Sequence, residues 1–431
     1  VYVVDVRRSI ARIFFSFAAL PLPFLGGVGT LLCMLLLCLI IAVINPKMHT
    51  FMMFATISDR KSEVLIKPLA LTLSLTALSV LTVISSLPLF IIPQIIVIVT
   101  LGEVSSNIVG LYGKLAGSLT YIIIGGFFAY VVGVYAASVT GVDISYDLVL
   151  FLAMIGAIVG ALLKSISLAT EEDVIVPIGM GMVMWLLASF KYSIPTVQLL
   201  LTLLFMMLLG YSLGKIKLAD LSGVLSGILM GLLIVSFTDF RWFLIILAFF
   251  ILSGTFTKYK YDYKRALGIA QGAGGARGYK NVFGNGLAAL VFAIGFGITG
   301  NPLFLVAYVG AVATATGDTL ASEIGQTYKK LPRLITDLTK VPHGTDGGIT
   351  ILGEFAALGG AAAIAILSVL LGLASLGIII PIILGGFFGV NFDSVLGAAF
   401  ERKHYLTNSS VNFFATVSGA IASVIVFILL L

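Results

Sequence analysis

Asp318, Ser322 and Glu323 interrupt an otherwise apolar run, "VAYVGAVATATGDTLASEIGQ". In a helix, Asp318 and Ser322 share a face, and Glu323 lies about 140° round from Asp318. Both acids can therefore line one wide cavity, but not one narrow stripe. Carboxylates paired in a tight, low-dielectric site suit Mg²⁺ with several waters and a phosphate substrate. They suit equally an ion- or proton-coupling pair in a transporter, or polar glue between helices. Gly310, Ala311, Ala313, Ala315, Gly317 and Ala321 are small enough to let a second helix approach closely. Another acid, Asp393, follows in "GVNFDSVLGAAFERKHYLTNSSVNF", which also holds Asn391, Asn408 and Asn412.

The stretch "KKLPRLITDLTKVPHGTDGG" sets Lys329, Lys330, Arg333 and Lys340 beside Gly344-Thr345-Asp346-Gly347-Gly348. Glycines let backbone N–H groups approach a phosphate, and Lys and Arg supply countercharge. The stretch is neither a Walker A sequence nor GxGxxG, and a solvated basic loop fits it as well. His343 reads as a loop residue, since no second His is near. Upstream, "GGARGYKNVFGNG" places Gly274, Gly275 and Gly278 around Arg277, ahead of Asn281 and Asn285. Asn281 with Asn285, and Asn408 with Asn412, are i, i+4 pairs. Their amides can bond phosphate, ribose or metal-bound water, or another helix.

The first half has a fainter version. Glu103 and Asn107 share a helix face, Lys114 follows, and Arg7, Arg8 and Arg12 lie near the start. Glu171, Glu172 and Asp173 precede "VIVPIG". An ordinary helix end with interfacial basic residues is the competing reading. The segment "GEVSSNIVG" (102–110) lays on "GDTLASEIG" (317–325), each with an acid second in line. This suggests a tandem pair of related modules.

Such residues need elements to hold them. Of 431 residues, 60% are hydrophobic and 10% charged, and mean hydropathy is +1.16. Soluble domains carry about 25% charged residues, so a soluble enzyme and a nucleic-acid-binding protein are excluded. A membrane-spanning helix takes about 20 apolar residues. Long continuous apolar runs, rather than alternating ones, indicate helices and not a barrel. The expected fold is an all-α polytopic membrane protein with roughly 13–15 transmembrane helices. It forms two tandem helical modules, residues 1–190 and 215–431, joined by a connecting span at 191–214. The first apolar run ends at Asn45-Pro46 with no small-residue cleavage site and reads as a retained span. Cys33 and Cys38 lie in that run and read as core-filling residues. Net charge is +6, and ten of the 25 Lys and Arg fall in residues 258–280 and 326–348. The positive-inside rule puts both segments on the cytoplasmic side.

From about residue 215 onward the sequence resembles the integral-membrane family that includes plant and cyanobacterial phytyl-phosphate kinases. The resemblance rests on Asn285-Gly286, Asp318 to Gly325 ("DTLASEIG"), Pro332 to Thr336 ("PRLIT") and Val341 to Gly348 ("VPHGTDGG"). Leu320, His343 and Asp346 stand where that family often has Trp, Pro and Asn. Residues 1 to about 190 more weakly resemble the dolichol kinase and phytol kinase family, through Arg7-Arg8, Gly102 to Ser118 and Glu172-Asp173 to Pro177. Glu103 replaces that family's usual Asp.

The resemblance implies transfer of phosphate from a nucleoside triphosphate, typically CTP, to a prenyl alcohol or prenyl phosphate in the bilayer. Asp318, Glu323 and Asp393 would then hold Mg²⁺, and Arg277, Lys329, Arg333 and Lys340 would grip phosphates. Gly344, Thr345, Asp346 and Gly347 would pack on the nucleotide. Ser322, Asn281, Asn285, Asn408 and Asn412 would orient substrate. Glu103, Asn107, Lys114 and Asp173 would play parallel parts in the first module. No general base is assigned. A homodimer is compatible with this reading, and no nucleic-acid partner is expected. The alternatives are a secondary transporter with intramembrane acids and a CDP-lipid-type cytidylyltransferase.

Overall fold

The computed structural model describes residues 6–43, 63–168, 171–270 and 276–430. Asn45-Pro46, Gly274 and Gly275 lie outside the described residues, as do the side chains of Arg7 and Arg8. Among the described residues, 13 helices are long and apolar enough to cross a membrane. The only sheet there has two strands, of two residues each. The chain is thus a multi-pass, all-α membrane protein. Two further apolar runs form shorter helices. Residues 10–25 break into a helix, a 3₁₀ turn at Phe17–Ala19 and the start of the next helix, and the run at 219–236 is a helix of 17 residues.

The chain forms two compact units, Val1–Met207 and Leu208–Leu431. The first holds α1 (Val6–Ser16), α2 (Leu22–Val43), α3 (Glu63–Ile84), α4 (Ile91–Tyr112), α5 (Lys114–Thr140), α6 (Tyr146–Ile166) and α7 (Glu172–Ser189). The border between units falls within α8 (Thr196–Lys215). The second unit holds α9 (Leu221–Phe237), α10 (Phe240–Lys258), short α11 (Tyr261–Ala266), α12 (Tyr279–Thr299) and α13 (Leu303–Gly325). Then come β1 (Arg333–Leu334), β2 (Gly348–Ile349), α14 (Ile351–Leu370), α15 (Ile379–Leu396) and α16 (Asn408–Leu430).

Apolar side chains give membrane helices little reason to prefer one another over lipid, so close backbone packing must hold them together. Glycines supply it. In the second unit a Cβ at Gly317 would lie 3.0 Å from Ala357 O, and one at Gly360 would lie 3.0 Å from Gly317 Cα. One at Gly325 would lie 3.3 Å from Gly353 Cα. The first unit repeats this antiparallel pairing. A Cβ at Gly102 would lie 3.4 Å from Gly125 Cα, and one at Gly117 would lie 3.0 Å from Gly110 Cα. The glycines that begin and end the two repeated segments thus do the same packing job in both units. What differs is the link. Gly113 alone separates α4 from α5, whereas residues 326–350, carrying the glycine-rich stretch, separate α13 from α14.

Cys33 is exposed and Cys38 half-buried, its Sγ 3.4 Å from Thr76 Oγ1. The expectation that both fill a core is corrected. Only one side of α2 packs on α3, so an apolar residue on its other side faces outward.

Gly389 is one of the glycines at which α13, α15 and α16 pack closely, against Thr314 and Gly419. A Cβ at Gly389 would lie 2.6 Å from Thr314 Oγ1 and 2.9 Å from Gly419 Cα, whereas one at Gly359 meets nothing within 4 Å. Gly389→Val should therefore cost about 1–3 kcal/mol or more through overpacking and lower the melting temperature in detergent. Gly359→Ala should leave it unchanged or raise it. Equal melting temperatures for the two variants would contradict this packing.

Candidate functional site

The C-terminal ends of α13 and α15 meet the N-terminal ends of α14 and α16 around a cavity of about 230 Å³. Five carboxylates line it: Asp318 on α13, Asp346 on the loop, Glu354 in the first turn of α14, Asp393 in the last turn of α15, and Glu401. Among the described lining residues there is no Lys or Arg, and His343 is the only base. Ser322, Gln326, Thr345, Thr350, Ser394 and Asn408 add hydroxyls and amides.

Local chemistry positions these groups. Thr350 caps α14, its hydroxyl accepting from Gly353 N at 3.0 Å, and this fixes Glu354 one turn in. Asn391 Nδ2 donates to Glu354 at 3.2 Å and to Phe387 O at 3.0 Å. A π-helical turn at Gly397–Glu401 ends α15 and turns Glu401 toward the cavity, where it hydrogen-bonds Asn408. Asp393 Oδ1 and His343 Nδ1 are buried without a hydrogen-bond partner.

The loop closes over these ends. β1 pairs antiparallel with β2, Arg333 opposite Ile349 and Leu334 opposite Gly348, and Ile335 N donates to Gly347 O at 3.0 Å. Gly344 and Gly347 have φ of +80° and +77°, which favours glycine. A Cβ at Gly347 would also lie 2.6 Å from Ala398 N and from Ser394 O, so the loop backbone rests directly on the end of α15 and the π-helical turn that follows it. Burial raises the pKa of Asp346 above the ordinary carboxylate value, while nearby Arg402 and His404 pull it down.

Asp318, Ser322, Asp393, Asn408 and the 344–347 loop are therefore brought together, but other sequence candidates are not. Glu323 does not line the cavity. Its carboxylate pairs with the buried Lys264 ammonium, which also donates to Thr257 O at 2.8 Å and Phe256 O at 3.3 Å. Arg277 does not line the cavity either. It is 7% exposed and gives Nη2 to Ser253 Oγ and Thr257 Oγ1, each at 2.9 Å. Burial lowers its pKa, with Glu323 and Asp318 opposing that shift. Asn281 accepts from Arg277 at 3.4 Å, and Asn285 donates to Asn281 O at 3.1 Å. Asn412 is buried in α16. None of these amides lines the cavity, nor do Lys329, Arg333 and Lys340, which are exposed on the loop. Arg333 Nη1 donates to Leu338 O at 2.9 Å. The sequence reading missed Glu354, Glu401 and Lys264, and left His343 as a plain loop residue. Glu354 was findable, as the only charge in α14.

The donor set fits Mg²⁺. Hard carboxylate oxygens line the cavity, while among the described residues no three His, Cys, Asp or Glu side chains form a ready-made metal cage. Mg²⁺ keeps several waters and typically takes one or two carboxylates plus substrate phosphates. Asp318 and Asp393, on facing helix ends, are the residues that would hold it.

The first unit has its own cavity, of about 160 Å³. A π-helical turn at Ile98–Gly102 precedes Glu103. Glu103 receives Arg12 at 2.7 Å, Lys164, and Asn107 Nδ2 at 3.3 Å. Lys164 also reaches Glu172 at 3.5 Å. Asp173 lines this cavity with Phe15, Leu37, Leu71 and Val176. Lys114 is exposed at the start of α5 and does not line it. The expected group of Glu103, Asn107 and Lys114 is thus replaced by Glu103 between Arg12 and Lys164. A carboxylate matched by two cations does not fit a divalent metal.

Residues 204–420, half the chain, match the family model described as Integral membrane protein DUF92. The chain belongs to that family. An uncharacterized membrane protein of Methanocaldococcus jannaschii is 35% identical over 231 residues, 54% of this chain and 95% of its own length. One of Synechocystis is 38% identical over 195 residues, 44% of this chain and 76% of its own. Protein PGR of Arabidopsis thaliana is 30% identical over 48% of this chain and 80% of its own length. No solved structure matches. The family match contains the acid-lined cavity and begins only after the residues that line the first unit's cavity.

A cation entering the cavity would relieve repulsion among its acids. Mg²⁺ at 100 times its Kd should stabilise the protein by about 2.7 kcal/mol, read as a higher melting temperature. Asp318→Asn and Asp393→Asn should lose most of that rise. Glu323→Gln should keep it while lowering the baseline, because it strips Lys264 of its partner. If Glu323→Gln alone removes the rise, the placement of the metal is wrong.

Proposed function

We propose that the second unit is a membrane-embedded kinase that moves the terminal phosphoryl group of a nucleoside triphosphate, CTP by family resemblance, onto a prenyl phosphate. The product is a prenyl diphosphate. The observation that carries this reading is the acid-lined polar cavity covered by a glycine-rich loop at one end of an apolar helix bundle. Phosphoryl transfer asks little covalent chemistry of a protein and much positioning. An oxygen of the prenyl phosphate forms the new P–O bond while the bond to the nucleoside diphosphate breaks. A phosphate nucleophile is already anionic, so no general base is required.

Asp318 and Asp393 would hold Mg²⁺, which would supply positive charge to the phosphates. Backbone N–H groups of 344–348 approach the triphosphate, and Ser322, Thr345 and Asn408 orient its oxygens. The prenyl tail stays among the helices and need not enter water. In the second unit, the described Lys and Arg outside Arg241 lie toward the cavity's end of the helices. By the positive-inside rule that end faces the cytoplasm, where nucleotides are. The same placement disfavours the transporter reading, because carriers bind near the bilayer midplane and these acids cluster at helix ends. We do not extend transfer to Glu103 in the first unit, whose charge is already matched.

Purified protein given Mg²⁺, terminally labelled CTP and phytyl or geranylgeranyl phosphate should place label in a lipid diphosphate. Asp393→Asn should lower that rate about 100-fold or more. A lipid product heavier by CMP would replace the reading with cytidylyl transfer. No lipid label across several nucleotides and chain lengths would end it.

A further inference from the structure

A phosphate-bearing substrate entering the second unit's cavity meets five carboxylates and, among the described lining residues, no Lys or Arg. The basic residues nearby in sequence are engaged or elsewhere. Arg277 is buried against two hydroxyls, and Lys329, Arg333 and Lys340 are exposed on the loop. One lining side chain can still carry positive charge or offer a ring N–H: His343.

Its backbone is well fixed. Thr345 N donates to Pro342 O at 3.3 Å and Thr345 Oγ1 to the same oxygen at 2.8 Å, closing a turn over Pro342-His343-Gly344-Thr345. Gly344 takes φ +80° at the third position of that turn, the glycine requirement of type II. His343, at the second position, is not among the residues with positive φ, and proline is favoured there. The turn thus sets an imidazole at the cavity wall, in a position whose backbone does not require one. The ring is half-buried, and its Nδ1 has no hydrogen-bond partner.

We infer that His343 is a specificity-determining contact, donating a ring N–H to a phosphate of the bound substrate. The inference rests on the phosphoryl-transfer reading for the identity of the anion. It assigns to this chain a contact that a proline in the same turn cannot make.

The test uses the whole chain described above, His343→Pro and His343→Gln, with Mg²⁺ and tripolyphosphate as the probe. The chain has 3 His, so imidazole NMR signals of histidine-labelled protein are few, and loss of one in His343→Pro assigns it. The His343 signal should move on titration. His343→Pro should bind tripolyphosphate about tenfold more weakly, the loss expected for one charge-assisted hydrogen bond, with an unchanged melting temperature. His343→Gln keeps an N–H donor and should recover much of the affinity, and it serves alone should the proline variant not fold. An unmoved His343 signal at saturating probe, or full affinity in both variants, overturns the contact. Phosphoryl transfer is assayed separately on the unaltered chain. Transfer without the His343 effects leaves the kinase standing and removes the contact. The His343 effects without transfer keep an anion contact and remove the kinase.

Discussion

Mutual repulsion of carboxylates in a poorly screened place is the constraint around which the second unit is built. Two like charges a few ångströms apart cost little in water and several times more near low-dielectric protein. Asp318, Asp346, Glu354, Asp393 and Glu401 nevertheless face one cavity. Glycine contacts between α13 and α14, the Thr350 cap and the π-helical turn at Gly397–Glu401 hold them there. The cations that could have neutralised them are kept on exposed loops or buried behind α13. A polyvalent cation entering such a cavity would relieve that repulsion without needing a preformed metal cage.

The first unit shows what the same helix pairing gives when the charges are matched. Glu103 follows Gly102 as Asp318 follows Gly317, and each glycine packs on the next helix. Yet Glu103 is closed between Arg12 and Lys164, and apolar side chains line most of the surrounding cavity. The packing device is repeated, whereas the electrostatics are not. Shared sequence at the glycines therefore records a shared structural need, and only the neighbours of each acid decide what chemistry is open to it.

Behind α13, Lys264, Glu323 and Arg277 form a buried polar group of another kind. Removing one member of a buried ion pair is costly because the other charge is left unpaired. This group ties α11 to α13 through Lys264 and Glu323, while backbone bonds of Arg277 reach residues 218–220. Glu323, the acid nearest Asp318 in sequence, thus serves the scaffold, and the residues that complete the cavity come from α14 and α15.

The sequence by itself determined the class of fold, the number of spans and most of the cavity's floor. Apolar run length is a local property that the bilayer reads directly, and the 13 spanning helices among the described residues fall within the 13–15 it led one to expect. Scarcity of charge made Asp318, Asp393 and the 344–347 loop stand out, because a charge in an apolar run needs a reason. Only the tertiary structure could part Glu323 from Asp318, bury Arg277, bring Glu354 and Glu401 to the cavity and close Glu103 between two cations. A side chain's direction depends on how its helix is rotated against its neighbours, and that rotation is set by glycine contacts between segments far apart in the chain. Spacing along one helix gives angles within it, and says nothing of which partner lies across the gap.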